Sequence, residues 1–199
     1  MHQSGQDSAI TMKGGNLMKK LWCLLICIIF LTGCSKAGGD LDAAVKLRSA
    51  ILRAETCSFT AVITADYGDM IHEFTLKCIS DGDGNVTFSV IGPESIAGIT
   101  GKITADGGAI TFDDTVLAIP LLTDNQLTPV SAPWIMMRAL RSGFIASAGS
   151  GRIRLDDSYA DDALALDIVL DDSGMPSLAE IFWKNRRILT IHVISFSLS

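Results

Sequence analysis

The chain has 199 residues, 48% of them hydrophobic, and its 16 Lys plus Arg against 22 Asp plus Glu give a net charge of −6. The length suits one ordinary domain, and so apolar a composition excludes a disordered chain. An acidic balance with no basic block excludes a nucleic-acid binder, since phosphate binding needs clustered cations. Residues 1–17 are polar and Gly-rich and belong to no expected element. They read as a mis-assigned upstream start or an extended cationic region, with Met18 as the expected initiator.

Met18-Lys19-Lys20 is a short cationic stretch, followed by an unbroken apolar run from Leu21 to Leu31 and then Thr32-Gly33-Cys34. As a helix that run spans roughly 16 Å, about half of a bilayer's hydrocarbon core. A positive segment, a short apolar segment and a small-residue exit make an export signal over residues 18–33. Leu31-Thr32-Gly33-Cys34 resembles the lipobox of bacterial lipoproteins, the alternative being an uncleaved signal anchor. The resemblance implies cleavage before Cys34 and lipidation (diacylglyceryl, palmitate-type) of its thiol. The chain is then held at the cell membrane, on the extracytoplasmic face. Each buried acyl CH₂ contributes about 0.8 kcal/mol, so two chains hold firmly where one does not. Residues 34–40 read as a tether and 41–199 as a single domain.

Asp40 to Ala54 has the spacing of a helix, with Asp40 as its cap and Leu41, Ala44, Val45, Leu47, Ile51 and Leu52 as its apolar face. Residues 57–66 and 69–78 alternate with period two, as a hairpin about Tyr67-Gly68 does. In that register Cys57 faces Cys78, and Phe59, Ile63, Phe74 and Leu76 share the same inward face. An exported protein meets an oxidising compartment, so a Cys57–Cys78 disulfide is expected, with two buried free thiols as the alternative.

Asp81-Gly82-Asp83-Gly84 marks a turn, with strands expected at about 86–91, 95–104 and 109–114 and an apolar extended piece over 116–122. A second helix is expected from Ser131-Ala132-Pro133 through Trp134, Met136, Met137, Leu140 and Phe144. Strands at 151–157, 163–170, 177–184 and 187–197 close the chain. Strands grouped in meanders rather than alternating with helices predict an antiparallel α+β domain.

Chemistry-bearing motifs are scarce. Beyond the signal only His72 and His192 remain as imidazole bases, and no Gly-x-Ser-x-Gly, Cys-x-x-Cys or His-Glu-x-x-His pattern occurs. Asp81-Gly82-Asp83-Gly84-Asn85 opens like a calcium loop. The loop then fails, because Val86 stands where glycine is needed and Gly92 where the bidentate glutamate belongs. No enzyme, metal site or cofactor is expected.

Gly174-Met175-Pro176-Ser177-Leu178-Ala179-Glu180-Ile181, then Arg186-Arg187-Ile188-Leu189-Thr190-Ile191 and Phe196, is similar to the end of LolA-like and LppX-like lipoprotein domains. Gly92-Pro93-Glu94-Ser95-Ile96-Ala97-Gly98 with Asp106-Gly107 resembles the same family's Pro-led strand and Asp-Gly turn. The resemblance implies an antiparallel sheet curved into an open half-barrel, with the N-terminal and the second helix covering its concave face. It also implies a non-catalytic protein that binds an acyl chain, a lipid or a lipid-modified partner. Phe59, Ile63, Phe74, Leu76, Phe88, Trp134, Met136, Met137 and Trp183 are the candidate lining residues. The alternative is an envelope structural or interaction lipoprotein with a closed core and no small-molecule ligand.

Overall fold

Alternation decides the architecture. The first strand, β1 (Thr56–Asp66), buries every second residue, with Cys57, Phe59, Ala61, Ile63 and Ala65 all inside. Each residue two positions on must face the same side, so the other face carries Ser58, Thr60, Val62 and Thr64. β2 (Ile71–Asp81) and β3 (Val86–Gly92) follow, then β4 (Thr100–Thr104), β5 (Gly107–Phe112) and β6 (Thr115–Ile119). A short pair, β7 (Leu122–Thr123) and β8 (Gln126–Leu127), leads to a 3₁₀ turn at Pro129–Ser131. The second half is β9 (Phe144–Gly149), β10 (Arg152–Asp156), β11 (Leu164–Leu170), β12 (Pro176–Trp183) and β13 (Arg186–Leu198). The computed structural model describes residues 37–119, 122–123, 126–157 and 163–199. Cys34, the export signal and the residues before it lie outside the described residues.

Eleven strands form one antiparallel sheet in the order β6-β5-β4-β3-β2-β1-β13-β12-β11-β10-β9, curved and unclosed. The last strand returns to pair with the first, so the two meanders join through β1 and β13. Two helices, α1 (Ala37–Arg53) and α2 (Ala132–Ser142), pack on the inner face, α1 against β9 and β10 and α2 against β2, β10 and β13. The fold is therefore the expected α+β open half-barrel. All of this belongs to one unit, Ala37–Ser199.

Several local expectations need correction. The hairpin register is two residues away from the expected one: Cys57 faces Ser80, Phe59 faces Cys78, and Ile63 faces Phe74. The cause is a longer loop, Tyr67–Met70, closed by Tyr67 N–H donating to Met70 O at 3.1 Å. A two-residue shift preserves the face but separates the cysteines to diagonal positions, and both thiols are free and buried. The disulfide is thus not formed. The second helix stops at Ser142, and Phe144 opens a strand that the apolar spacing had hidden. Residues 95–98 belong to a 3₁₀ turn (Glu94–Ile96) and the turn that follows it rather than to a strand. Of the six residues expected on the apolar face of α1, Ala44, Leu47 and Ile51 are buried, while Leu41, Val45 and Leu52 face solvent. Asp40 does not cap that helix from outside. It lies within it and accepts N–H bonds from Ser150 and Gly151, tying α1 to the β9–β10 turn.

The outer face of β10–β13 is laced by charge. Glu180 accepts from Arg187 Nη1 at 2.6 Å and Arg152 Nη1 at 3.2 Å, and Arg154 Nη1 donates to Asp167 at 3.0 Å. The Arg187 hydrogen bond, opposed by partial burial and helped by Arg152, holds the Glu180 carboxyl below its usual range. A carboxyl depressed in the folded state stabilises it above the unfolded value, and that contribution fades as pH falls through the folded one. Glu180→Gln should therefore cost about 1 kcal/mol at neutral pH, since both arginines are half exposed. Thermal melts across pH should show the wild-type advantage shrinking below the glutamate value of 4.5. An advantage that persists at the most acidic pH would contradict this role.

Candidate functional site

Cross-strand register turns the inner face into rows that run across the whole first half of the sheet. One row reads Phe59, Cys78, Phe88, Gly101, Ile110 and Leu117. The next reads Cys57, Ser80, Val86, Ile103, Gly108 and Ile119. Along the first row burial collapses: Phe59 and Phe88 are 2% and 3% exposed, Ile110 is half-buried, and Leu117 is 63% exposed. Phe112, on the same face by alternation, is 56% exposed. The helices pack over β2, β13, β10 and β9, and among the described residues no helix packs comparably on β5 or β6. The result is an apolar shelf of Ile110, Phe112, Leu117 and Ile119, continuous with the core through Phe88 and Ile103.

Glycines make that continuity. A Cβ at Gly101 would lie 2.5 Å from Phe88 Cζ and 2.6 Å from Ala109 O, so the Phe88 ring lies across the bare backbone of β4. A Cβ at Gly108 would collide with Ile103 Cδ1 and come within 3.0 Å of Ile119 Cγ1. Side chains from both neighbours thus lean over the glycine and close the inner surface toward the shelf.

The residues expected to line a ligand site are all on the inner face or on α2. Phe59, Ile63, Leu76 and Phe88 are buried on the sheet and Trp134, Met136 and Met137 on α2, while Phe74 and Trp183 are half-buried against the same core. The structure brings these nine into one core, with Phe59 stacked on Phe196 at 5.7 Å between ring centroids. The first seven can line a cavity only if α2 moves. The shelf residues were not singled out from the sequence. Their signal was present as the apolar run Val116–Ile119, but which strand lacks a helix over it is a property of topology.

Around the core the chemistry is inert. Burial pushes the Cys78 thiol up to about 12 and raises Cys57 too, against the opposing charge of Arg141. Neither is a nucleophile at neutral pH. His72 is exposed, with its ring 6.3 Å from Phe74 and 6.2 Å from Tyr67. Asp81 accepts from the backbone N–H groups of Asp83 and Asn85 and from Asn85 Nδ2, so the calcium-like segment is a self-closed turn. Among the described residues no three His, Cys, Asp or Glu side chains gather as metal ligands, and no helix is long and apolar enough to cross a membrane.

No family model and no curated protein matches the chain. Solved structures do. A Vibrio parahaemolyticus domain described as an outer membrane lipoprotein-sorting protein is 9% identical with a TM-score of 0.45, covering 82% of this chain and 93% of that one. A LolA superfamily protein of Nitrosomonas europaea is 12% identical with a TM-score of 0.39, covering 83% and 94%. An uncharacterised conserved protein of Thermus thermophilus is 12% identical with a TM-score of 0.41, covering 78% and 87%.

Proposed function

We propose that this chain is a lipid-anchored extracytoplasmic lipoprotein that holds an acyl chain, or the acyl part of a lipid or lipid-modified partner, on the inner face of its half-barrel. The observation that carries the reading is the uncovered end of that face. Ile110, Phe112, Leu117 and Ile119 present contiguous apolar surface, and solvent-facing apolar surface of this kind is costly unless something covers it. An acyl chain is a fitting cover, being flexible, apolar and without hydrogen-bonding demands. It could follow the row from Leu117 toward Phe88, and rotation of α2 would extend the groove beneath Met136 and Met137, whose flexible thioethers adapt to variable ligands. Binding and orientation are the whole of the chemistry, and no side chain acts as acid, base or nucleophile. The membrane anchor is Cys34.

A second reading is supported by the closed packing of Met136, Met137, Ile63 and Leu76, all fully buried. It makes the protein an envelope interaction module whose core admits no ligand.

Native mass spectrometry of the chain purified from a bacterial host separates the two. Bound lipid is expected, and Leu117→Asp should strip it while leaving thermal stability nearly unchanged, since Leu117 contributes little burial. Cys34→Ser should move the protein from the membrane to the soluble fraction. A lipid-free wild type, or lipid fully retained by Leu117→Asp, would leave the interaction reading.

A further inference from the structure

We infer that the β6 edge is a strand-addition site for an extended segment of another polypeptide, apolar at its centre and basic at both ends. The site stands on backbone groups at the sheet edge and the acidic turns flanking them, which the lipid reading does not use, and shares with that reading only the apolar shelf on its inner side.

An edge strand exposes a row of unpaired N–H and C=O groups, and proteins ordinarily blunt such edges with lysine, proline or a cover. The opposite edge of this sheet, β9, is packed against α1. Among the described residues β6 has none of these protections, and the nearest proline in the sequence, Pro120, comes just after the strand. It is terminal in the sheet and holds Thr115-Val116-Leu117-Ala118-Ile119, with no charge and no proline. Val116 is 66% exposed on the outer face and Leu117 63% exposed on the inner. The turn from β5 is two residues, Asp113 and Asp114, both at positive φ (45° and 61°). Such a turn makes Phe112 and Thr115 a hydrogen-bonded pair, and pairs then alternate along the ladder. Ile110–Leu117 and Gly108–Ile119 are therefore bonded pairs, while Val116 and Ala118 direct their N–H and C=O groups to the open side.

Charge names the occupant. Asp113 and Asp114 sit at one end of the edge. Asp106, in the β4–β5 turn, sits at the other, at the rim of a groove of about 360 Å³ that Lys102, Gly107, Ala118 and Ile119 also line, so the acidic charge lies in the turns and not along the strand. A second copy pairing antiparallel about Leu117 would bring Asp113 and Asp114 of each chain against Asp106 of the other, a repulsion repeated at both ends. A foreign strand with basic flanks turns both ends into attraction. Main-chain bonds to Val116 and Ala118 supply affinity, and alternate side chains reach the shelf on one face and the small-residue groove on the other.

The test uses the full-length chain and a synthetic peptide of alternating valine and threonine flanked by lysines. Calorimetry should detect binding that weakens with salt and is at least about tenfold weaker for the same peptide flanked by glutamates. Ala118→Pro should abolish it, because proline removes an outward donor and spares the bonded pairs to β5. The triple variant Asp106→Asn, Asp113→Asn, Asp114→Asn keeps residues that tolerate positive φ, and should lose the lysine preference and most of the salt dependence. A cooperative thermal melt of Ala118→Pro close to that of the wild type shows that this variant folds. Equal affinity for both peptides, unimpaired binding by Ala118→Pro, or a wild-type dimer that Ala118→Pro dissociates would each overturn the assignment.

Discussion

Phe88→Ala should destabilise the protein by about 3–5 kcal/mol, whereas Leu117→Ala, in the same cross-strand row, should change stability by no more than about 0.5 kcal/mol. Phe88 is 3% exposed, and its ring crosses Gly101, which has no side chain to swing into the space that truncation leaves. The cost of a large-to-small change grows with the cavity that persists, so a neighbour unable to collapse puts Phe88 at the upper end. Leu117 has most of its side chain in water already and loses little transfer energy. Urea unfolding of both variants, with the slope against denaturant unchanged, gives the comparison. Equal losses would mean that the β5–β6 end is as covered as the centre and that no shelf exists. Bound lipid adds a second signature, because a ligand taken only by the folded state raises the wild-type melting temperature by mass action. Leu117→Ala should lose that rise and Phe88→Ala should keep part of it.

What the sequence made visible was local periodicity. Alternation in β1 and β2 placed Phe59, Ile63 and Leu76 inward, and all three are buried. Register was not visible to the same degree. The shift of two between Cys57–Cys78 and Cys57–Ser80 changes no face and so leaves no trace in the hydrophobic pattern. It decides the cysteine pairing nonetheless. The strand Phe144–Gly149 escaped notice because its small residues extend an apolar helix as readily as they form an edge strand. The shelf escaped for another reason. Val116–Ile119 carries the composition of a buried strand, and only the strand order, with β6 outermost and both helices over the other strands, leaves it uncovered.

Arg48→Ala should cost about 3 kcal/mol, through a contact that no sequence pattern announces. α2 ends without the usual glycine device: Gly143 follows it at φ −62° in extended conformation, so no left-handed residue folds back on the final carbonyls. Instead Arg48 reaches across from α1. Its Nε donates to Leu140 O at 2.8 Å, and its Nη2 donates to Gly143 O at 2.6 Å and Ala139 O at 3.3 Å. The fork of a guanidinium fits adjacent carbonyls, and its charge sits at the negative end of the helix dipole. Burial lowers the Arg48 pKa, but a guanidinium stays charged at any physiological pH. Arg48→Ala leaves these part-buried carbonyls without their cation. Arg48→Met keeps the apolar stem and loses the bonds, so it isolates the polar part. Arg48→Lys keeps the charge as a point donor and should recover about half of the loss. Unfolding followed by fluorescence in a background with Trp22→Phe and Trp183→Phe reports α2 directly, because the remaining indole, Trp134, is buried on that helix. A loss for Arg48→Met as small as that for a surface substitution would mean the carbonyls are satisfied otherwise. If the loss is large, the Arg48 bonds hold α2 over the sheet together with the inward apolar residues of α1 (Ala44, Leu47 and Ile51). Arg48 is then the latch that decides whether α2 stays closed over Met136 and Met137 or swings to lengthen the groove.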